Sequence, residues 1–142
     1  MNTFYAHIIC LRPRQWIKNF LIFVPFLFTI SDVWSPDDFN VVSGMLSKLG
    51  LAFCAFCLTV SSVYILNDLK DKKNDTKHPA KKYRPIASGK VPVSTSVCLM
   101  LALSLTGISL MWYIDIVLGG LGIVYICINL LYSFGAKSIV LL

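Results

Sequence analysis

Residues 67–89 read NDLKDKKNDTKHPAKKYRPIASG, a dense polar segment between two long apolar runs, called the motif segment below. Its acidic side chains are Asp68, Asp71 and Asp75, spaced by three and then four residues. On a helix with 100° per residue, these three side chains fall within an arc of about 60° on one face. Carboxylates gathered on one face repel each other, so the spacing favours a divalent cation bound against them.

The residue types in the motif segment favour Mg²⁺ and a diphosphate. Carboxylates are hard oxygen donors, and the segment contains no Cys and no Glu. Acids one turn apart on a single helix cannot enclose the ion, so water and substrate phosphate must complete its coordination. Positively charged side chains that can pair with phosphates follow in the second half of the segment, at Lys77, Lys81, Lys82 and Arg84.

The composition indicates an all-α integral membrane protein. Of the 142 residues 56% are apolar, and the mean hydropathy is +0.71, both high for a soluble domain. The net charge of +6 does not indicate a nucleic-acid partner. The basic residues alternate with membrane-length apolar runs, and no nucleic-acid-binding motif is present.

We predict about four transmembrane helices in one membrane domain, over residues 17–30, 45–66, 93–114 and 116–132, with the motif loop at 67–92. Pro25 is expected to kink the first and shortest span. Residues 49–66 carry no charge and are long enough to cross about 27 Å as a helix. The third and fourth spans are separated only by Asp115, which predicts a tight hairpin, and glycines at 119, 120 and 122 would permit close helix contact.

The distribution of Lys and Arg predicts the orientation. Residues 67–90 hold eight of these residues, the hairpin at Asp115 holds none, and the N-terminal segment holds Arg12, Arg14 and Lys18. Because basic loops favour the cytoplasmic side, both termini and the motif loop are expected there.

Residues 67–75 match in full the first Asp-rich motif, NDxxDxxxD, of the UbiA superfamily of intramembrane prenyltransferases, and the chain resembles that family. Residues 78–89, HPAKKYRPIASG, are similar to the HPxKxxRPIASG extension of its decaprenyl-phosphate phosphoribosyltransferase-like branch. The opening at 12–19, RPRQWIKN, resembles the RPxQWxKN start of the same branch.

This resemblance implies a Mg²⁺-dependent membrane transferase that moves a phosphoribosyl group from phosphoribosyl diphosphate to a polyprenyl phosphate. It implies a bacterial or archaeal plasma membrane. Asp68, Asp71 and Asp75 would hold the metal, and the substrate-binding residues would be Asn67, Lys81, Arg84 and, at the acceptor phosphate, Lys18. The residue that activates the acceptor is not assigned.

Two alternatives stay open: prenyl transfer from a prenyl diphosphate to an aromatic acceptor, and an inactive fragment or a membrane protein that binds anionic lipid. The family forms a larger bundle with a second Asp-rich motif in its C-terminal half. We therefore expect this chain to correspond to the N-terminal half, incomplete at its C-terminus, and to be completed by a partner half or by a homo-oligomer.

Overall fold

The computed structural model describes residues 3–136. Within this range the chain is helical and contains no β-strand apart from an isolated bridge between Ile30 and Trp34. The elements in order are α1 (Thr3–Leu11), a first 3-10 helix (Pro13–Phe23), α2 (Val24–Phe28), α3 (Phe39–Asp75), a second 3-10 helix (Lys81–Tyr83), α4 (Val93–Ile114), α5 (Ile116–Leu131) and a π-helical turn (Tyr132–Ala136).

Three helices of the described residues are long and apolar enough to cross a membrane, namely α3, α4 and the helix over Ile116–Gly135. The all-α membrane class is therefore confirmed, whereas the count of four spans is not. The first expected span, at residues 17–30, does not form one continuous helix. The first 3-10 helix ends at Phe23, and α2 adds only five residues after it.

Proline explains part of this difference. Pro13 starts the first 3-10 helix and Pro25 lies in the first turn of α2, where a missing N–H breaks no bond within the helix. In the middle of one long helix, Pro25 would remove a backbone hydrogen bond and clash with the preceding turn. The sequence analysis expected a kink at this proline, and the structure begins a new short helix there.

Helix α3 carries the acidic half of the motif segment beyond its own apolar stretch. Its 37 residues rise about 55 Å, well over the roughly 30 Å of a hydrocarbon core. Asp38 caps its N-terminus, because its Oδ1 accepts a hydrogen bond from the Val41 N–H at 3.2 Å. Residues 67–75 of the expected loop therefore belong to the last turns of α3, and the remainder of that loop contains the second 3-10 helix at Lys81–Tyr83.

Close packing joins α3, α4 and α5. A Cβ atom added at Gly107 of α4 would lie 2.3 Å from Thr59 Oγ1 and 3.0 Å from the Ala55 carbonyl oxygen, so only glycine permits this approach to α3. Asp115 caps α5 by accepting from the backbone N–H groups of Val117 at 2.8 Å and Leu118 at 3.2 Å. Helices α4 and α5 thus form the expected tight hairpin.

A small apolar core lies beside the motif segment. Its fully buried members are Ala6, Cys10, Ile65, Ile86 and Val91, which come from α1, α3 and the loop that precedes α4. This core packs the N-terminal helix and the basic half of the motif segment onto the same stretch of α3.

Candidate functional site

Two of the three motif acids are buried at the end of α3. Asp68 is 4% exposed and Asp75 is 3% exposed, whereas Asp71 is partly exposed. A carboxylate with so little access to water needs a charged partner, because desolvation of an unpaired charge costs several kcal/mol. In this structure arginine side chains supply that partner.

Arg84 bridges the two buried acids. Its Nη1 atom lies 3.1 Å from Asp68 Oδ1 and 2.7 Å from Asp75 Oδ2. Arg84 follows the second 3-10 helix, and its backbone N–H donates to the Lys81 carbonyl at 3.0 Å. The chain therefore folds the basic half of the motif segment back onto its acidic half. Arg84 pairs with the acids here, and the phosphate-binding role that the sequence analysis gave it stays a prediction.

Arg12 is a second partner of Asp68, and the sequence analysis did not assign it a role. Its Nη2 forms an ion pair with Asp68 Oδ1, and its guanidinium carbon lies 4.7 Å above the centre of the Tyr64 ring. The two charged residues are 56 positions apart in the chain. The resemblance to RPxQWxKN begins at Arg12, so this motif is the sequence feature that could have marked Arg12 as a site residue.

Asn67 contacts a residue near the C-terminal end of the described residues. Its Oδ1 atom accepts a hydrogen bond from the Ser133 hydroxyl at 2.8 Å, and Ser133 is 1% exposed. This bond links the first residue of the motif segment to the π-helical turn after α5. Ser133 was not among the predicted site residues, because no local pattern marks it.

The two lysines proposed for substrate binding are exposed. Lys81 begins the second 3-10 helix. Lys18 lies on the first 3-10 helix beside a separate cavity of about 250 Å³ that Asn19 and Phe56 also line. His78 has a structural position, since its Nδ1 accepts from the backbone N–H groups of Ala80 at 3.2 Å and Lys81 at 3.3 Å.

Carboxylate oxygens at this site suit a hard cation. Among residues 3–136, no three Asp, Glu, His or Cys side chains converge enough to hold a metal by themselves. One nitrogen of Arg84 nevertheless contacts an oxygen of both Asp68 and Asp75, so the two carboxylates face the same cationic group. The two carboxylates would suit Mg²⁺ if water and phosphate supplied the other ligands.

Cys10 of α1 lies close enough to Asp68 and Arg12 for their charges to affect its thiol. Its burial, together with the negative charge of Asp68, raises the pKa of the thiol to about 11, although Arg12 opposes this increase. The thiol is therefore neutral near pH 7 and serves as a packing residue.

Comparison with known proteins shows that the family model described as the UbiA prenyltransferase family matches residues 20–142. The chain belongs to the UbiA prenyltransferase family. The decaprenyl-phosphate phosphoribosyltransferase of Mycolicibacterium smegmatis is 37% identical over 126 residues, which make up 89% of this chain and 38% of that protein. The enzyme of the same name from Mycobacterium tuberculosis is 36% identical over 127 residues, or 89% of this chain and 41% of the relative.

A third relative is the decaprenyl-phosphate phosphoribosyltransferase of Corynebacterium glutamicum. It is 35% identical over 130 residues, with 89% of this chain and 37% of the relative covered. The chain thus spans well under half the length of these curated relatives, between 37% and 41%.

Proposed function

We propose that this UbiA-family chain binds a Mg²⁺-bound diphosphate and provides the donor site for phosphoribosyl transfer to a polyprenyl phosphate. The observation that carries the proposal is the contact of Arg84 Nη1 with both Asp68 and Asp75. It gathers carboxylates suited to a metal and a guanidinium suited to phosphate at one point at the end of α3.

Each residue of this site has a proposed task. Asp68 and Asp75, with Asp71 on the same helix, would hold Mg²⁺, and Arg84 and Lys81 would bind phosphate oxygens. Asn67, held by Ser133, would orient a ribose hydroxyl or a metal-bound water. Bound Mg²⁺ would neutralise charge on the departing diphosphate. Lys18 is proposed for the acceptor phosphate.

The relatives support the choice of substrates. The names of the three relatives specify a decaprenyl phosphate and a phosphoribosyl group. By extension, phosphoribosyl diphosphate would be the donor and a polyprenyl phosphate the acceptor here. The matched region is at most 41% of those relatives. A partner half or another copy of the chain is proposed as a further contributor to the bundle.

The family description names prenyl transfer. The second candidate is therefore transfer of a prenyl group, for which we propose a prenyl diphosphate as the donor and an aromatic compound as the acceptor. Both candidates need the same metal and diphosphate contacts. They differ in the group attached to the diphosphate, so competition between the two donors separates them.

The test is binding of radiolabelled phosphoribosyl diphosphate to the full chain in lipid nanodiscs, with and without Mg²⁺. Prenyl diphosphate serves as competitor, and the Asp68→Asn/Asp71→Asn variant serves as the site variant. The matched control is Asp32→Asn/Asp37→Asn, the same chemical change in the exposed loop before α3.

We expect Mg²⁺-dependent binding that the site variant loses by at least about tenfold, since each lost charge-assisted contact is worth roughly 1.5–3 kcal/mol. The control should bind normally. Stronger competition by prenyl diphosphate than by unlabelled phosphoribosyl diphosphate would favour the second candidate. Association with anionic lipid without binding of either diphosphate would contradict both candidates and favour a lipid-binding protein.

A further inference from the structure

Residues 13–23 form a 3-10 helix of unusual length. Its 11 residues exceed the run of about three to four that is usual for this helix, because its backbone hydrogen bonds are poorly aligned. None of the 11 residues is buried in the described part of the chain, so burial in a core does not account for the geometry. The side-chain contacts between this helix and α3 account for it.

Two hydrogen bonds, called the docking contacts below, join the first 3-10 helix to α3. The Trp16 Nε1 atom donates to the Ser61 hydroxyl at 3.1 Å, and the Asn19 Nδ2 atom donates to the Cys57 sulphur at 3.3 Å. Both acceptors are buried, since Ser61 is 0% exposed and Cys57 is 4% exposed. Hydrogen bonds between buried groups meet little competition from water, so these two fix the orientation of the indole and the amide.

The spacing of these four residues matches the two helical geometries. Trp16 and Asn19 are three positions apart, which is one turn of a 3-10 helix and about 6 Å along its axis. Cys57 and Ser61 are four positions apart, which is close to one turn of an α-helix and also about 6 Å. In an α-helix Trp16 and Asn19 would lie only about 4.5 Å apart along the axis and about 60° apart around it. The two docking contacts therefore favour the 3-10 geometry.

Aromatic contacts continue the same register by one more turn of α3. Phe20 and Phe23 are again three positions apart, and their ring centroids lie 4.7 Å and 5.9 Å from that of Phe53. Phe53 precedes Cys57 by four positions. As the 3-10 helix proceeds from residue 16 to residue 23, its partners on α3 are therefore residues 61, 57 and 53, one turn apart in the antiparallel direction.

Lys18 belongs to another row of the first 3-10 helix. Gln15, Lys18 and Leu21 are spaced by three and therefore lie in one line along a 3-10 helix. Lys18 and Leu21 line the cavity of about 250 Å³, and Gln15 lines a groove of about 550 Å³ beside α1. The rotation of the helix on α3 thus decides whether Lys18 faces its cavity.

We infer that Trp16 and Asn19 are positioning residues, which hold the first 3-10 helix in register on α3 and thereby direct Lys18 towards its cavity. This inference rests on the proposed function, in which Lys18 binds the acceptor phosphate. Without the docking contacts the segment relaxes towards α geometry, in which each residue turns by about 100° rather than about 120° from the one before. Lys18 then leaves the row that lines the cavity, while the acids at the end of α3 keep their arrangement.

Disulfide formation tests the register. Asn19→Cys places a thiol opposite Cys57, whereas Ile17→Cys, at an exposed position, is the control. Oxidation with copper phenanthroline should join the cysteine at 19 to Cys57 and leave the cysteine at 17 free, as measured by mass spectrometry after maleimide labelling. Equal oxidation at both positions would overturn the register. The background for both variants has Ala in place of the other native cysteines, namely Cys10, Cys54, Cys98 and Cys127.

Binding of two ligands to the full chain in nanodiscs tests the positioning of Lys18. The first ligand is radiolabelled farnesyl phosphate, a short prenyl phosphate, with empty nanodiscs as the baseline for partition into lipid. The second is Mg²⁺-diphosphate. Lys18→Gln gives the effect of losing the lysine itself. Cys57→Ala and Trp16→Phe each remove one docking contact, and Cys57→Ser is the conservative variant that keeps a hydrogen-bond acceptor.

We expect Lys18→Gln to weaken farnesyl phosphate binding about tenfold, as for one lost charge-assisted contact. Cys57→Ala and Trp16→Phe should each weaken it about threefold, the usual effect of one hydrogen bond between membrane helices. Cys57→Ser should bind like the wild type. Cys57→Ala should keep its affinity for Mg²⁺-diphosphate within about twofold, because the motif acids begin about 16 Å further along α3.

A loss confined to the prenyl phosphate, and rescued by Ser at position 57, distinguishes positioning from a general structural role. If Lys18→Gln weakens binding but Cys57→Ala does not, or if Cys57→Ala weakens both ligands equally, the inference is wrong while the proposed function stands. If Lys18→Gln binds farnesyl phosphate like the wild type, the proposed role of Lys18 fails, and the inference fails with it. Should Cys57→Ala not fold, unchanged binding in Trp16→Phe would also overturn the inference.

Discussion

The Nη1 atom of Arg84 donates to the Oδ2 atom of Asp75 at 2.7 Å, and this bond closes the motif segment on itself. Nine positions separate the two residues in the chain. Both buried acids share this one guanidinium. The stability of the loop and the arrangement of the two carboxylates therefore depend on the same side chain.

Replacement of Arg84 by Gln should destabilise the chain and make its stability dependent on metal. It leaves Asp75 buried without its charged partner, for which we expect a loss of about 3 kcal/mol. Thermal unfolding in detergent, followed by tryptophan fluorescence, measures the loss. Millimolar Mg²⁺ should restore part of the lost stability in Arg84→Gln and should stabilise the wild type less. No restoration by Mg²⁺ would argue against metal binding between Asp68 and Asp75.

Replacement of Ser133 by Ala should weaken ligand binding at the donor site through the loss of its contact with Asn67. The variant loses the hydrogen bond to Asn67 and should lower the free energy of unfolding by about 1 kcal/mol. It should also reduce affinity for Mg²⁺-diphosphate several-fold, because Asn67 is no longer held. Ser104→Ala is the matched control, since the Ser104 hydroxyl bonds only to the Met100 carbonyl within its own helix among the described contacts. Equal effects of the two variants on affinity would show that the Ser133 bond does not position the site.

Replacement of Gly107 by Ala should separate α3 from α4. The new Cβ would meet Thr59 Oγ1 at 2.3 Å and the Ala55 carbonyl oxygen at 3.0 Å, and overpacking of this kind costs about 1–3 kcal/mol. Gly120→Ala is the control, because no atom lies within 4 Å of its added Cβ. Thermal unfolding should therefore show a lower midpoint for Gly107→Ala only. A normal midpoint for that variant would contradict the close helix contact.

Cys10 should make stability depend on pH in the alkaline range. The thiol has an ordinary pKa of 9.0, and burial raises it to about 11 in the folded chain. Between these pH values the unfolded chain releases the proton and the folded chain retains it, so the free energy of unfolding falls as pH rises, by about 2–3 kcal/mol in total. Below about pH 9 both states hold the proton and this contribution is constant.

The measurement for Cys10 is the difference in unfolding between the wild type and Cys10→Ala at several values from pH 8 to 10.5. The difference removes the titration of Lys and Tyr, which is common to both. The Ala variant should lose less stability as the pH rises. Parallel profiles would show that Cys10 does not titrate as its burial predicts.

The orientation in the membrane can be tested by labelling single cysteines in a variant whose five native cysteines are replaced. Lys77→Cys lies in the motif segment, and Val33→Cys lies in the exposed loop before α3. A membrane-impermeant maleimide applied to intact cells should label the cysteine at 33 and not the one at 77, because basic loops face the cytoplasm. Labelling of the cysteine at 77 in intact cells would reverse the proposed orientation.

Patterns of adjacent residues were sufficient for much of the fold. The uncharged runs before and after the motif segment predicted α3, α4 and α5, since burial of backbone polar groups in lipid demands helices of membrane length. The same reasoning was insufficient for residues 17–30, whose composition resembles a span. Pro25 within this segment and Pro13 just before it change the backbone geometry in a way that hydropathy does not describe.

The placement of Asp68, Asp71 and Asp75 on one helix was predictable from sequence alone, because the helical repeat places residues three and four apart on one face. Their role as metal ligands stays a prediction. Tertiary structure decided which cations meet them. Arg84 reaches Asp68 and Asp75 through a folded loop, Arg12 reaches Asp68 across 56 positions, and Ser133 reaches Asn67 across 66. Local spacing encodes which residues share a helical face, whereas contacts between distant segments arise from the packing of α1, α3 and α5, which no local repeat specifies.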